Sequence, residues 1–173
     1  MAGLLFLGSD AVFVLALLFS YLYLRVLNVN HLWRPAYVHP PSAAAAVLVA
    51  GAVIVSAGAY RWGLAGIRAG RQQQLRSGLV LALAFLLVDI GLQIHQMTAV
   101  SFGPQSGAFA SSFFALAGYH VFHLCVALLL GLGMLNRARH GKFSQSHHME
   151  VIVLGYFWYW VAFVAAVVAL LPK

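Results

Sequence analysis

Five long apolar segments dominate this sequence and limit what it can fold into. They cover approximately residues 3–24, 43–63, 78–97, 109–135 and 150–171. A helix that rises about 1.5 Å per residue needs roughly 20 apolar residues to cross a hydrocarbon layer of about 30 Å. Open strands would leave backbone polar groups unpaired in lipid. The sequence therefore predicts an all-α, polytopic membrane protein: a bundle of five transmembrane helices in a single membrane domain over residues 1–173.

Composition excludes a soluble domain as the main body of the chain. Charged side chains make up 8% of the sequence and hydrophobic ones 63%, whereas roughly a quarter of a soluble domain is charged. The net charge of +7 does not indicate a nucleic-acid partner, because the basic residues are spread over short interhelical loops. We expect no cleaved signal and no soluble extension at either end. The single cysteine, Cys125, has no partner for a disulfide.

The basic residues predict the orientation of the helices in the membrane. The second and fourth loops share six of them, at Arg68, Arg71, Arg76, Arg137, Arg139 and Lys142. The third loop, residues 98–108, has no basic residue. Cytoplasmic loops carry an excess of Lys and Arg, and with five crossings these two loops lie on the side of the N-terminus. The prediction is a cytoplasmic N-terminus and an outside C-terminus.

Aromatic residues near the predicted helix ends favour anchoring in the headgroup layer, where amphipathic rings are enriched. The residues with this interpretation are Tyr21, Tyr23, Trp33, Trp62, Tyr156 and Trp160. We expect them to fix the depth of the helices and to take no part in chemistry.

Three acidic residues are the complete acidic inventory of the chain. Asp10 lies about two turns into the first predicted helix, Asp89 near the middle of the third, and Glu150 at the start of the fifth. An ionised carboxylate is costly inside a membrane, so Asp10 and Asp89 must each be protonated, paired or hydrated. Two roles remain open for both residues. One is a proton-related function, and the other is a plain hydrogen bond between helices.

Histidines supply the remaining candidates for buried polar chemistry. His120 and His123 lie three residues apart in the fourth helix, so they face the same side and could bind one metal ion or form one polar seam. Two histidines are too few for a zinc site, which needs four ligands. The alternative is hydrogen bonding between helices by His120, His123, His95 and Gln93. The sequence assigns no catalytic, cofactor-binding or metal-binding residue.

Three stretches of the sequence are informative when they are taken together: Gly8-Ser9-Asp10, Ser111 to His123, and Tyr156-Phe157-Trp158. Together they resemble subunit III of the haem-copper terminal oxidases. The family pattern FF-x-x-x-G-x-H-G-L-H fits Phe113 to His123, with Val121 and Phe122 in place of Gly-Leu. The chain resembles a shortened form that starts at the third helix of the family. Asp10 then stands at that helix's acidic residue, which in the family reacts with hydrophobic carbodiimides.

The resemblance covers essentially the whole chain and implies a function. It implies a non-catalytic subunit of an oxidoreductase complex, in a bacterial cell (inner) membrane, within an aerobic respiratory electron-transport chain. Such a subunit packs on catalytic subunit I, which holds the haem and copper, while the chain itself binds phospholipid and none of these cofactors. It sustains proton uptake and turnover during oxygen reduction, with cytochrome c or quinol as the electron donor.

Departures from the family pattern mark the chain as a divergent member. Gln96 stands where a Glu is usual, Tyr159 where a His is usual, and Ala162 where an Asp is usual. Two other functions remain open. One is an accessory subunit of a nitric oxide reductase, and the other is a small stand-alone membrane enzyme or channel that uses Asp10 with His120 and His123.

Overall fold

A computed structural model describes residues 2–28 and 33–171, and this part of the chain contains five α-helices and no strand. The helices are α1 (Ala2–Leu27), α2 (Ala43–Arg68), α3 (Gln72–Ala99), α4 (Ala108–Arg139) and α5 (Met149–Ala169). All five are long and apolar enough to cross a membrane. The prediction of an all-α membrane protein with five spanning helices is therefore confirmed.

The helices differ at their ends from the apolar segments in the sequence. α2 continues to Arg68 instead of ending near residue 63, and α3 begins at Gln72 instead of near residue 78. α4 likewise continues to Arg139, four residues past its predicted end. Hydropathy marks only the part of a helix that lies in hydrocarbon, whereas the polar turns beyond it keep the same backbone hydrogen bonding.

A tight turn joins α2 and α3 and brings their backbones together. Gly70 has a φ of +75° in this turn, a left-handed conformation that glycine adopts without steric cost. Further into the membrane, a Cβ atom on Gly78 would lie 2.5 Å from the Cα atom of Gly63. Small residues at such a crossing allow close helix approach. The α2–α3 pair therefore forms a closely packed hairpin.

The other helices complete the bundle around this hairpin. α5 packs against α2, and α4 packs against α3, α5 and α1. In the core the rings of Trp158 and Tyr60 stack at 4.9 Å. Trp158 Nε1 donates to Ser56 Oγ at 2.9 Å, and Ser56 Oγ donates to the carbonyl of Ala82 at 2.6 Å. These hydrogen bonds connect α5, α2 and α3 inside the membrane.

α1 lies at the edge of the bundle. In the most apolar 18-residue stretch of α1, 11% of the residues are buried, compared with 50% in the corresponding stretch of α5. Among the other helices, it contacts α4 and α5. Most of its apolar surface must therefore face lipid or another protein.

A second apolar cluster closes the end of the bundle where the first and third loops meet. Its buried residues include Tyr21, Trp33, Phe102 and Phe109. The Trp33 ring lies edge-on to the rings of Tyr21 and Phe109, and Phe109 N donates to the carbonyl of Trp33 at 2.9 Å. The prediction that Tyr21 and Trp33 anchor the protein in the headgroup layer is wrong, because both rings are buried inside the protein.

Candidate functional site

The carboxyl group of Asp10 joins three helices. α4 supplies Tyr119, whose hydroxyl donates to Asp10 Oδ2 at 2.6 Å, and His123, whose Nε2 lies 3.0 Å from Asp10 Oδ1. α5 supplies Trp160, whose Nε1 donates to Asp10 Oδ2 at 2.5 Å. The Asp10 side chain is 9% exposed. Each carboxyl oxygen therefore has at least one partner away from solvent.

The hydrogen bond made by Nδ1 of His123 determines which atoms of the Asp10–His123 pair can carry protons. His123 Nδ1 lies 2.8 Å from the carbonyl oxygen of Tyr119, one turn earlier in α4. A carbonyl oxygen only accepts, so Nδ1 must carry a hydrogen. One further proton then lies between His123 Nε2 and Asp10 Oδ1, bound to one atom or the other. In both arrangements the Asp10–His123 pair has no net charge, which lowers the cost of burying it in a membrane.

A second acid–histidine pair connects α3 and α4. Asp89 is completely buried, and its Oδ2 lies 3.1 Å from Nε2 of His120. Asp89 Oδ1 has no hydrogen-bond partner among the residues that the structure describes. His120 also lines a cavity between the helices. The described residues therefore satisfy only part of the hydrogen-bonding capacity of this pair.

The two histidines of α4 contact different acids. His120 bonds to α3 through Asp89, and His123 bonds to α1 through Asp10. They do not share the ligand set that a common metal ion would need. Within residues 2–28 and 33–171, no group of three or more His, Cys, Asp and Glu side chains could hold a metal ion. The geometry favours the alternative from the sequence, which is hydrogen bonding between helices.

The other candidates lie apart from these pairs. His95 is exposed on α3, and Gln93 Nε2 is 3.5 Å from Gln96 Oε1 of the same helix. Glu150 is 53% exposed at the start of α5, where it accepts a hydrogen bond from Arg137 Nη2 at 3.1 Å. Exposed ion pairs of this kind contribute little to stability. The structure does not bring His95 or Glu150 to the buried acids.

Sequence reasoning missed two residues of the Asp10 site. Tyr119 lies four residues before His123, so the spacing alone places both on one face of α4. Trp160 was predicted to be an interfacial anchor, but it lies within α5 and donates to Asp10. No sequence signal indicates this contact, because it depends on how α5 is rotated about its axis.

Two of the stretches that carry the family resemblance meet at this site. Asp10 and His123 are 113 residues apart in the chain and in direct contact in the fold. Residues 1–171 match the family described as "Cytochrome c oxidase subunit III". The chain belongs to the cytochrome c oxidase subunit III family. The resemblance seen in the sequence is confirmed, and a nitric oxide reductase subunit is not favoured.

Individual members of the cytochrome c oxidase subunit III family show how far the similarity extends. "Cytochrome c oxidase subunit 3" of Branchiostoma lanceolatum is 25% identical, with 91% of this chain and 62% of that protein covered. The protein of the same name from Pylaiella littoralis is 24% identical, with coverages of 93% and 61%. That of Thermostichus vulcanus is 23% identical, with coverages of 91% and 78%. The chain thus spans about three fifths of the length of the first two relatives.

Proposed function

We propose that this chain is the non-catalytic subunit III of a respiratory haem-copper oxidase, and that it sustains proton uptake and turnover during oxygen reduction. Haem and copper belong to the partner catalytic subunit in this proposal. The observation that carries it is the family match over residues 1–171. The contact between Asp10 and His123 supports it further, because it joins two of the stretches on which the resemblance is based.

A proton-related role of Asp10 is consistent with the hydrogen bonds around it. Oδ2 is occupied by the donors Tyr119 and Trp160, and His123 Nδ1 is occupied by a carbonyl oxygen. Proton exchange is therefore confined to the contact between Oδ1 and Nε2. Movement of the proton across this contact leaves the net charge of the pair unchanged. The pair can rearrange a proton without creating an uncompensated charge in the membrane.

The apolar face of α1 supports association with a partner subunit and with phospholipid. Large side chains are exposed along most of the helix, among them Leu5, Phe6, Val12, Phe13, Leu15 and Phe19. A membrane protein can cover such a face with lipid or with another apolar helix surface. We assign its cover to catalytic subunit I and bound phospholipid. The membrane in this proposal is the bacterial cell (inner) membrane, with the N-terminus cytoplasmic.

Deletion of the chain from its native membranes tests the proposal. We expect the haem spectra and the initial rate of oxygen reduction to remain, because the cofactors lie in the partner. The number of turnovers before inactivation should fall, and re-expression of the wild-type chain should restore it. Loss of the haem signals, or an unchanged turnover lifetime, would contradict the proposal.

Purification in mild detergent tests the partner directly. A catalytic subunit with haem and copper should copurify with the chain and reduce oxygen. Copurification with a nitric oxide reductase, or activity of the isolated chain alone, would instead support one of the two alternatives from the sequence.

A further inference from the structure

A partly open cavity of about 90 Å³ lies between the helices near the first and third loops. Its walls are mostly apolar and come from every helix, with Val49 of α2 and Ala165 of α5 as examples. Polar side chains of α3 and α4 also line it: Gln93, Gln96, Tyr119 and His120. The cavity therefore reaches from the loop end of the bundle to His120, which bonds to Asp89.

Two buried polar atoms at or next to this cavity lack hydrogen-bond partners among the described residues. Asp89 Oδ1 and Gln96 Nε2 are buried atoms without a partner. Gln96 lines the cavity itself, and Asp89 lies behind His120, which lines the cavity and bonds to Asp89 through Nε2. Each unsatisfied buried polar group costs about 1–3 kcal/mol. A hydrogen-bonding occupant would relieve that cost, whereas a lipid tail would not.

The size of the cavity fits water. Roughly 10–15 Å³ of such volume is enough for one water molecule, which also needs about 2–4 polar partners. A cavity of about 90 Å³ therefore has room for several molecules. We propose that it contains a cluster of water molecules through which the proton shared by Asp89 and His120 exchanges with the membrane face formed by the first and third loops. This inference does not depend on the proposed oxidase function.

The groups that face the cavity leave the Asp89–His120 pair as the main exchange site. Tyr21 and Tyr119 are the other titratable residues in its described lining, which contains no Lys or Arg. The Tyr119 hydroxyl already donates a hydrogen bond to Asp10, and Asp10 in turn contacts His123. α2 and α5 contribute apolar side chains to the lining. Protons that enter from the loops therefore reach His120, and Asp89 through it, without a competing Lys or Arg.

Silver-ion accessibility tests the hydration. In a Cys125→Ala background, Ala117→Cys places a thiol in the cavity wall, and Ala115→Cys places one on the exposed side of the same helix. Ag⁺ is close to water in size and reacts with thiolate, which forms only where water can take the proton. In native membranes we expect modification at position 117 to be about 100-fold faster than at 115, since apolar surroundings suppress the thiolate. The extent of modification should be measured by denaturing the chain afterwards and labelling the thiols that Ag⁺ has left unmodified.

The direction of access is part of the same experiment. Ag⁺ should modify Ala117→Cys rapidly only from the face that modifies a Gln105→Cys marker in the third loop. Equal rates at positions 117 and 115 would overturn the proposal, because the cavity would then be no wetter than the lipid face. Rapid modification only from the opposite face would overturn the assigned route.

Infrared spectroscopy of the assembled protein tests the proton exchange. The carboxyl or imidazole bands that Asp89→Asn removes should shift within seconds of transfer to D₂O. An Ala165→Leu variant, which fills the cavity, should slow this shift severalfold, and Ala117→Val serves the same purpose if the first variant does not fold. Bands that fail to shift in the wild type, or shift equally fast in a folded cavity-filling variant, would refute the exchange route.

Discussion

Replacement of Asp10 by asparagine and by leucine should have very different effects on stability. The asparagine oxygen can accept from Tyr119 and Trp160 as Asp10 Oδ2 does. Its NH₂ group can donate to Nε2 of His123, which has a free lone pair when Nδ1 alone carries the ring proton. Asp10→Asn therefore keeps all three contacts. Asp10→Leu has a similar size and keeps none of them.

The magnitude follows from the number of contacts that leucine removes. Hydrogen bonds between membrane helices are worth about 0.6 kcal/mol on average and up to about 2 kcal/mol each. Loss of three such contacts should cost roughly 2–5 kcal/mol of the free energy of unfolding, the upper part coming from donors left buried without a partner. Asp10→Asn should cost less than about 1 kcal/mol.

Thermal unfolding in mild detergent measures this difference. Ser9→Leu is the matched control, because Ser9 is the exposed neighbour of Asp10 on α1 and the change is also from polar to leucine. It should leave the unfolding temperature nearly unchanged. Trp160→Phe combined with Asp10→Leu should cost less than the two single changes added together, since both remove the same bond. The hydrogen-bond reasoning is refuted if Asp10→Asn destabilises the protein as much as Asp10→Leu.

The same asparagine variant separates the two roles of Asp10. If Asp10 only bonds the helices together, Asp10→Asn should match the wild type in turnover rate and lifetime. If it assists proton uptake, the variant should turn over more slowly or inactivate sooner at high pH, where protons are scarcest. We also expect a hydrophobic carbodiimide to label Asp10 in preference to the fully buried Asp89, and Asp10→Asn to abolish that labelling.

Two further predictions concern helix packing and topology. Gly78→Ala should lower the unfolding temperature, because the new Cβ would lie 2.5 Å from the α2 backbone and overpacking costs about 1–3 kcal/mol. Gly91→Ala is the control and should be nearly neutral, because no atom lies within 4 Å of its Cβ. Equal effects of the two changes on the unfolding temperature would contradict this account. Cysteines at Arg71 and Arg139 should be labelled from the cytoplasmic face and one at Gln105 from outside, whereas labelling of positions 71 and 139 from opposite faces would exclude the five-helix topology.

The five helices were predictable because a backbone that crosses lipid must satisfy its hydrogen bonds within the protein. Apolar runs of sufficient length must form helices in lipid, and α1 to α5 follow them. The polar ends of the helices were not predictable in the same way. Arg68 and Gln72, for example, close α2 and open α3 outside the most apolar part of the sequence. Hydropathy contains no information about where such turns stop.

The candidate site was predictable in its residues and not in its pairing. Depth in the membrane singles out Asp10 and Asp89, and helical spacing places His120 and His123 on neighbouring positions of α4. Which histidine meets which acid depends on the rotation of α1 and α3 about their axes. A rotation by one position would change both partners. The assignment of His123 to Asp10 therefore required the folded bundle.

The pairing gives a physical reason for glutamine at position 96, where the resemblance to the family implies a Glu. α4 provides two buried histidines, and both already bond to an acid. A carboxylate at position 96 would face a cavity whose described lining has no Lys or Arg and whose histidine, His120, already bonds to Asp89. It would have to stay protonated or draw a proton from His120. We therefore expect Gln96→Glu to show the infrared carbonyl band of a protonated acid at neutral pH, and a carboxylate band would show that the cavity solvates charge better than its mostly apolar wall indicates.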